Sequence, residues 1–369
     1  MRAPVVALDV TPLQNAHRYR GIGTYVRGLA GHLSAQTEVP IEFWGWAGQE
    51  PIEVRAPHRA VWLPRFPMPR YRGAWFFAQL AMRMRARLSS VKTIHITDPD
   101  ALTALGRRRL LATVYDLIPL QDGIPPRQVV ARAGYDAYLR AMRRVDAYFA
   151  ISEQTARDLQ ELLRIPAEKI IVAAPGIELP ASPDVPLAAG RAPYFLYVGG
   201  PNENKNLGVL LDALVECAEL PHRLLIAGRW LPRQVAELDA REREMKLEDR
   251  VEHLGFVPAA ELVPLMKHAV ALVVPSRREG FGLPVGEGLA AGAVVIHSRI
   301  PVLEETSAGA ALTFDPGSAA ELAGRLRQVA AEDGLGAELR RRGTERARDL
   351  TWKPAVERTL AAYRETAGE

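Results

Sequence analysis

Residues 271–292 read ALVVPSRREGFGLPVGEGLAAG. The opening ALVV is an apolar run of strand length. SRREGFGLP is a polar turn holding Gly280, Gly282 and Pro284, and VGEGLAAG takes up a small-residue, helix-like pattern. Glu279 therefore falls in a loop that leaves a buried strand, and Glu287 falls about one turn into the helix that follows. A strand, a glycine-containing loop and a helix in that order form the repeating unit of a parallel α/β sheet.

The same alternation runs through nearly all of the 369 residues. PVVALDV, TIHIT, LLATVY, AYFAIS and IIVAA read as strands in the first half, and YFLYVGG, RLLIAG, VEHLGF, ALVVPS and AVVIHS in the second. Helical patterns such as GTYVRGLAGHLSA, NLGVLLDALVECAEL and AAELVPLMKHA lie between them. The length exceeds one ordinary core. The stretch Glu178–Pro193, rich in proline, alanine and glycine, reads as a linker. The expectation is α/β architecture in two doubly wound domains: residues 1–182, completed by a terminal helix over 352–369, and residues 183–351.

Composition narrows the function classes. Hydrophobic residues make up 48% and charged residues 24% of the chain, ordinary values for a globular enzyme. A single cysteine, Cys217, cannot close an internal disulfide and suits a reducing compartment. No run reaches the roughly 18 apolar residues of a membrane span, and Pro4–Val10 reads as a strand rather than a leader. A cytoplasmic protein is expected. The net charge of +4 is unevenly spread, with no acid between Glu53 and Asp98. That stretch carries Arg55, Arg59, Arg65, Arg70, Arg72, Arg83, Arg85, Arg87 and Lys92 among Trp62, Phe66, Tyr71, Trp75, Phe76 and Phe77. Residues 55–92 could meet a phosphate-bearing surface, or be a helix with solvated arginines.

In open parallel sheets ligands bind at the carboxyl ends of the strands, so the chemistry is expected in strand-to-helix loops. In RGIGTY, Gly21 and Gly23 allow a close backbone approach. The sequence lacks the third glycine and the spacing of a dinucleotide fingerprint. In YVGGPNENKNL, Gly200 closes a strand and Asn204 and Lys205 precede a helix. A lysine there opposes the helix dipole, so it either binds an anion such as a diphosphate or is a solvated surface residue. Around Gly280, Phe281, Gly282 and Leu283 the backbone N–H groups sit at a positive helix end, where anions bind. Glu279 and Glu287 alongside can accept hydrogen bonds from hydroxyls. Phosphate together with many hydroxyls describes a nucleotide sugar. For Glu287 the plainer reading is a carboxylate favoured by the helix dipole.

The spacing Glu279-x7-Glu287 within EGFGLPVGEGLAAG resembles the signature of the retaining glycosyltransferases of family four, which have the GT-B fold with two Rossmann-like domains facing across a cleft. RGIGTY, TVYDLIPL, YVGGPNENKNL, LLIAG, VEHLGFV and TWKPAVERTLAAYRE follow in the family's order. The resemblance implies a hexosyltransferase that uses a nucleotide-diphosphate sugar as co-substrate, with no cofactor and no metal. It places Lys205 on the diphosphate, Glu279 on the sugar hydroxyls and Glu287 on the ribose. Gly21 and Gly23 would face the phosphates, and Gly255, Phe256 and Val257 would flank the base. Two positions depart from the family. Asn204 stands where arginine is usual, with Arg229 as a candidate substitute, and Tyr115 stands where histidine is usual. Tyr115 is a far poorer base near neutral pH, whereas Asp116 and Asp98 end strands and could meet the acceptor or cap helices. His95 reads as a core histidine and Ser152 as a helix cap. No metal-ligand cluster is expected.

The opening DVTPLQN and TVYDLIPL most resemble bacterial mannosyltransferases, which implies GDP-mannose and a glycan or lipid-linked acceptor, with no nucleic-acid partner. A UDP-sugar-dependent glucosyltransferase acting on a small soluble acceptor, and a non-catalytic nucleotide- or membrane-surface-binding protein, stand as alternatives. Two acids also suggest a glycosidase, but a carboxylate set inside a helix is badly placed to protonate a leaving oxygen. A phosphorylase would need a cofactor-bearing lysine, and nothing in the sequence marks one.

Overall fold

The computed structural model describes residues 6–19, 21–48, 51–63, 74–102, 108–121, 138–181 and 192–367. The chain divides into two compact units, one of residues 1–176 and 352–369 and the other of residues 177–351. The change of unit falls at Gly176/Ile177, six residues before the expected boundary, because the Ile177 N–H donates to the Leu350 carbonyl (2.8 Å) and ties that segment to the second unit. Most of the proline-rich stretch proposed as a linker lies outside the described residues.

The first unit contains β1 (Val6–Asp9), α1 (Gly21–Ala35), β2 (Ile41–Trp46), β3 (Arg59–Leu63), α2 (Ala74–Leu88), β4 (Thr93–Ile96) and β5 (Arg109–Val114). α3 (Ile118–Gln121), β6 (Ala147–Ala150), α4 (Glu153–Leu163) and β7 (Ile170–Val172) complete its main run. Its strands lie in the order β3-β2-β1-β4-β5-β6-β7. Ser152 caps α4 as expected, accepting from the Thr155 N–H at 3.0 Å.

The second unit contains β8 (Tyr194–Val198), α5 (Leu207–Glu216), β9 (Arg223–Ala227), α6 (Pro232–Glu244), β10 (Val251–Gly255), α7 (Ala259–His268) and β11 (Ala271–Val274). α8 (Leu283–Ala290), β12 (Val295–Ser298), α9 (Pro301–Ser307), β13 (Leu312–Phe314), α10 (Ala319–Ala331) and α11 (Asp333–Ala347) follow. Its order is β10-β9-β8-β11-β12-β13, with every pairing parallel. Alternate residues of β8 enter different cores: Phe195 and Tyr197 join one, and Tyr194 and Leu196 the other. A sheet buried on both faces needs apolar residues at consecutive positions, which is why these strands read as unbroken apolar runs.

The last helix, α12 (Lys353–Ala367), packs on the first unit. Trp352 meets the Tyr25 ring edge-on (centroids 5.5 Å apart), and Arg358 donates to the Val172 carbonyl at 2.6 Å. The Tyr363 hydroxyl lies 2.7 Å from His95 Nδ1, whose Nε2 lies 2.9 Å from Thr113 Oγ1. Burial lowers the His95 pKa to about 3, so the ring is neutral and both of its nitrogens are satisfied by hydroxyls. His95 is thus the core histidine that the sequence suggested. Removing one hydroxyl strands a buried ring nitrogen. Tyr363→Phe should therefore cost about 1–3 kcal/mol of unfolding free energy by urea denaturation, and an unchanged midpoint would mean that the bond contributes nothing.

Candidate active site

In the second unit the chain order reverses between β8 and β11, the pair from which strands run outward in both directions. The loops leaving such a pair are the usual ligand position in sheets of this kind. After β8 comes Gly199–Asn206, and after β11 comes Pro275–Gly282. Backbone and side-chain bonds clip the two loops together. The Arg277 N–H donates to the Asn204 carbonyl (2.8 Å), and Asn206 Nδ2 donates to the carbonyls of Pro275 (3.0 Å) and Pro316 (2.9 Å).

That clip brings together the charged residues singled out in the sequence. Lys205 Nζ lies 2.6 Å from Glu279 Oε1, which also accepts from Ser276 Oγ at 2.7 Å. Gly282 opens α8 in the left-handed region, with φ of 91°, a conformation that disfavours residues with a Cβ. An added Cβ there would also lie 2.4 Å from Leu303 Cδ2. Thr306 Oγ1 holds the Phe281 carbonyl, so the loop enters the helix along one fixed path.

Glu287 sits in the second turn of α8, partly buried. Its neighbours Gly286 and Gly288 are packed against Ile177 and Leu350 on one side and Leu272 and Val295 on the other. Loss of solvent pushes its carboxyl up to about 7, while the Lys205 charge pulls the other way. Among the described residues, no side chain hydrogen-bonds this carboxyl. It is a desolvated acceptor that a ligand hydroxyl could satisfy.

The remaining second-unit positions line the ends of β8, β9 and β10. The Gly199 N–H donates to the Ala227 carbonyl (2.9 Å) and the Gly228 N–H to the Gly255 carbonyl (2.8 Å). Gly200 approaches Arg229, as a Cβ built on it would lie 3.9 Å from the Arg229 carbonyl. Arg229 is exposed, Phe256 is 59% exposed, Val257 is half-buried, and Gly255 turns at φ of 67°. Lys205, Asn204, Gly200, Arg229, Gly280, Phe281, Leu283 and Glu287 all belong to this unit.

Gly21, Gly23, Tyr115 and Asp116 belong to the first unit. α1 begins at Gly21, two residues before the expected start. A Cβ on Gly23 would lie 2.5 Å from the His17 carbonyl, so close packing of the chain's own backbone already explains this glycine. Tyr115, expected near the reacting sugar, is buried and donates to the Thr97 carbonyl at 3.0 Å, and burial holds its pKa well above the ordinary tyrosine range. Its geometry is that of a packing residue, not of a proton donor or acceptor for substrate. Asp116 Oδ1 accepts the Ile118 N–H at 3.1 Å, a capping role for α3.

Sequence reading singled out Asp98 but missed the polar cluster around it, at the β1/β4 switch point of the first unit. Asp98 Oδ2 accepts from Asn15 Nδ2 (2.7 Å) and Thr11 Oγ1 (3.2 Å), and the fully buried Asp9 accepts from Thr11 and from the Asp98 N–H. Asp9 closes β1 inside PVVALDV, so its place at a strand end was the available signal. The structure also brings Asp239, Glu242 and His253 together, a grouping not expected from the sequence. His253 Nε2 lies 2.7 Å from Glu242 Oε1 and 3.7 Å from Asp239 Oδ1, and a hydrogen bond between His253 and Glu242 accounts for the closer approach.

Comparison with known proteins adds an independent line. Residues 19–180 match the family model Glycosyltransferase Family 4, and residues 181–350 match Glycosyl transferases group 1. The chain is 27% identical over 228 residues to the O-antigen chain mannosyltransferase B of Escherichia coli, covering 58% of this chain and 59% of that protein. It is 37% identical over 117 residues to the GDP-mannose:cellobiosyl-diphosphopolyprenol alpha-mannosyltransferase of Xanthomonas campestris, covering 31% of this chain and 30% of that one. The match thus spans about six tenths of the first of these relatives and less of the second. The sucrose-phosphate synthase structure from Thermosynechococcus elongatus superposes over both full chains with a TM-score of 0.81 at 21% identity, a likeness of fold.

The Lys205–Glu279 pair is partly buried, with side chains 27% and 13% exposed. Lys205→Met should lower unfolding free energy by about 1–3 kcal/mol by leaving Glu279 without its cation. Adding Glu279→Gln should recover much of that loss. Additive losses in the double variant would show that the two side chains do not support one another.

Proposed function

We propose that the chain is a glycosyltransferase of GT-B fold, joining a Family 4 domain to a group 1 domain, and that it moves a hexose, best read as mannose from GDP-mannose, to a lipid-linked glycan with retention of anomeric configuration. The observation that carries this reading is the convergence of Lys205, Glu279 and the partner-poor Glu287 on one loop-to-helix junction. Mannosyltransferases among the relatives, one named for GDP-mannose and a diphosphopolyprenol acceptor, support the donor and the acceptor class.

In this reading the donor's diphosphate lies at the start of α8 and draws Lys205 from Glu279. Glu279 is then released to accept hydroxyls of the transferred sugar, and Glu287 accepts the two ribose hydroxyls. Arg229, beside Gly200, supplies the charge that Asn204 does not. The acceptor oxygen attacks the anomeric carbon on the face from which the diphosphate leaves. The bond from that carbon to the phosphate oxygen breaks, and the acceptor proton passes to the departing phosphate. Lys205 and the helix N–H groups stabilise the charge that develops on the leaving group, each donor being worth about 2.7–4 kcal/mol of barrier. No protein base is required, which agrees with a buried, committed Tyr115. Neither metal nor cofactor is needed, because cationic side chains and backbone dipoles supply the countercharge. Work at the cytoplasmic face of a membrane, with contact through residues 55–92, follows from a lipid-linked acceptor.

Ribose hydroxyls donate best to an ionised Glu287, and near its pKa of about 7 the ionised fraction changes steeply. Calorimetric affinity for GDP-mannose should rise roughly tenfold between about pH 6 and pH 8, and Glu287→Gln should weaken binding and flatten that slope. Equal turnover with UDP-glucose in a nucleotide-release assay would remove the mannosyl assignment. Absence of turnover with any donor and lipid-linked acceptor would remove the transferase reading.

A further inference from the structure

Helix α2 carries apolar side chains on both its inward and its outward face. Its inward face buries Met82 and Ala86 in the first unit's core together with an arginine. Arg85 pairs with the buried Glu42, which also accepts from Trp44 Nε1 at 3.0 Å, and its guanidinium lies 5.6 Å from the Trp44 ring centroid. This charged anchor fixes the rotation of the helix about its axis. The outward face then carries Leu80, Met84 and Leu88, which are 40%, 52% and 78% exposed. These residues are spaced i, i+4, i+8 and form one continuous stripe. Arg83 and Arg87, both exposed, flank it on one side. No acidic residue occurs between Glu53 and Asp98.

We propose that the Leu80–Met84–Leu88 stripe of α2 inserts into an anionic lipid surface while Arg83 and Arg87 engage its headgroup phosphates. Apolar side chains that would be costly to leave in water enter the boundary between headgroups and acyl chains. The neighbouring guanidiniums gain from the negative surface potential of such a leaflet. Charge complementarity favours a lipid surface over a protein partner: a basic, apolar face on a segment without acids matches a sheet of phosphates. The membrane face serves the lipid-linked acceptor proposed above and rests on that reading for its purpose, although the helix geometry stands independently of it.

Co-sedimentation with vesicles tests this directly. The full chain should bind vesicles of phosphatidylglycerol and phosphatidylcholine at low salt roughly tenfold more tightly than pure phosphatidylcholine, and the difference should shrink as salt rises. Arg83→Glu with Arg87→Glu should abolish the preference for anionic vesicles. Leu80→Gln, Met84→Gln and Leu88→Gln together should weaken binding to both kinds. Because all five side chains are exposed, melting temperatures should stay close to that of the parent chain. Equal binding by the parent chain and both variants, or no binding by any of them, overturns the proposal. So does a dimer in sedimentation velocity that the triple glutamine variant dissolves, since that would assign the stripe to a second copy of the chain. A thermal shift with GDP in the absence of vesicles separates the two readings. A shift without vesicle binding refutes only the lipid face, whereas vesicle binding without a shift refutes only the donor site.

Discussion

One ammonium and two carboxylates share a poorly solvated corner at the switch point of the second sheet, and their charge balance sets the character of the site. Lys205 is committed to Glu279, so Glu287 feels only its longer-range field. The carboxyl responds by rising to about 7. Such a corner is incompletely satisfied on its own and gains from an incoming ligand that brings hydroxyl donors for the acids and a polyanion for the lysine. A nucleotide sugar brings both.

The arrangement depends on two loops held in register by groups with no chemical role in transfer. Asn206 bridges Pro275 and Pro316, Arg277 is tied through its backbone to Asn204, and Thr306 holds Phe281. The small residues Gly286 and Gly288 let α8 press against the sheet so closely that Glu287 is carried into the same corner. Packing and chemistry are therefore linked through one short helix. In the first unit, the Asp9–Thr11–Asn15–Asp98 cluster occupies the corresponding switch point. It forms a largely buried polar floor at the strand ends.

All ten strands read from the sequence exist; eight are buried almost throughout and show as apolar runs, while β7 and β10, at the sheet edges, are only partly buried. The strands missed have physical reasons. β2 carries Glu42 and Gly45 inside IEFWGW, and its acid is tolerable only because Arg85 and Trp44 come from elsewhere to meet it. β3 is exposed along its first half, and β13 has only three residues. At the site, residue identities were legible but pairings were not. Glycines before a helix look alike whether a ligand or the chain's own backbone lies against them, and at Gly23 it is His17. Tyr115 occupies a position that the family resemblance marks as reactive, and only its bond to Thr97 shows the hydroxyl to be engaged. The Asp239–Glu242–His253 grouping joins a helix to a strand, a coincidence that sequence spacing does not encode.

Burial raises the Glu287 carboxyl in the free protein, and a bound nucleotide sugar should lower it again, the proton passing to solvent as ligand hydroxyls donate to the carboxylate. Carbon-13 NMR titration of side-chain-labelled glutamate, with Glu287→Gln to assign the resonance, measures this directly. The midpoint should lie near 7 in the free protein and fall by at least about one unit when GDP-mannose saturates the site. An ordinary midpoint near 4.5, or one that the donor leaves unmoved, would contradict this.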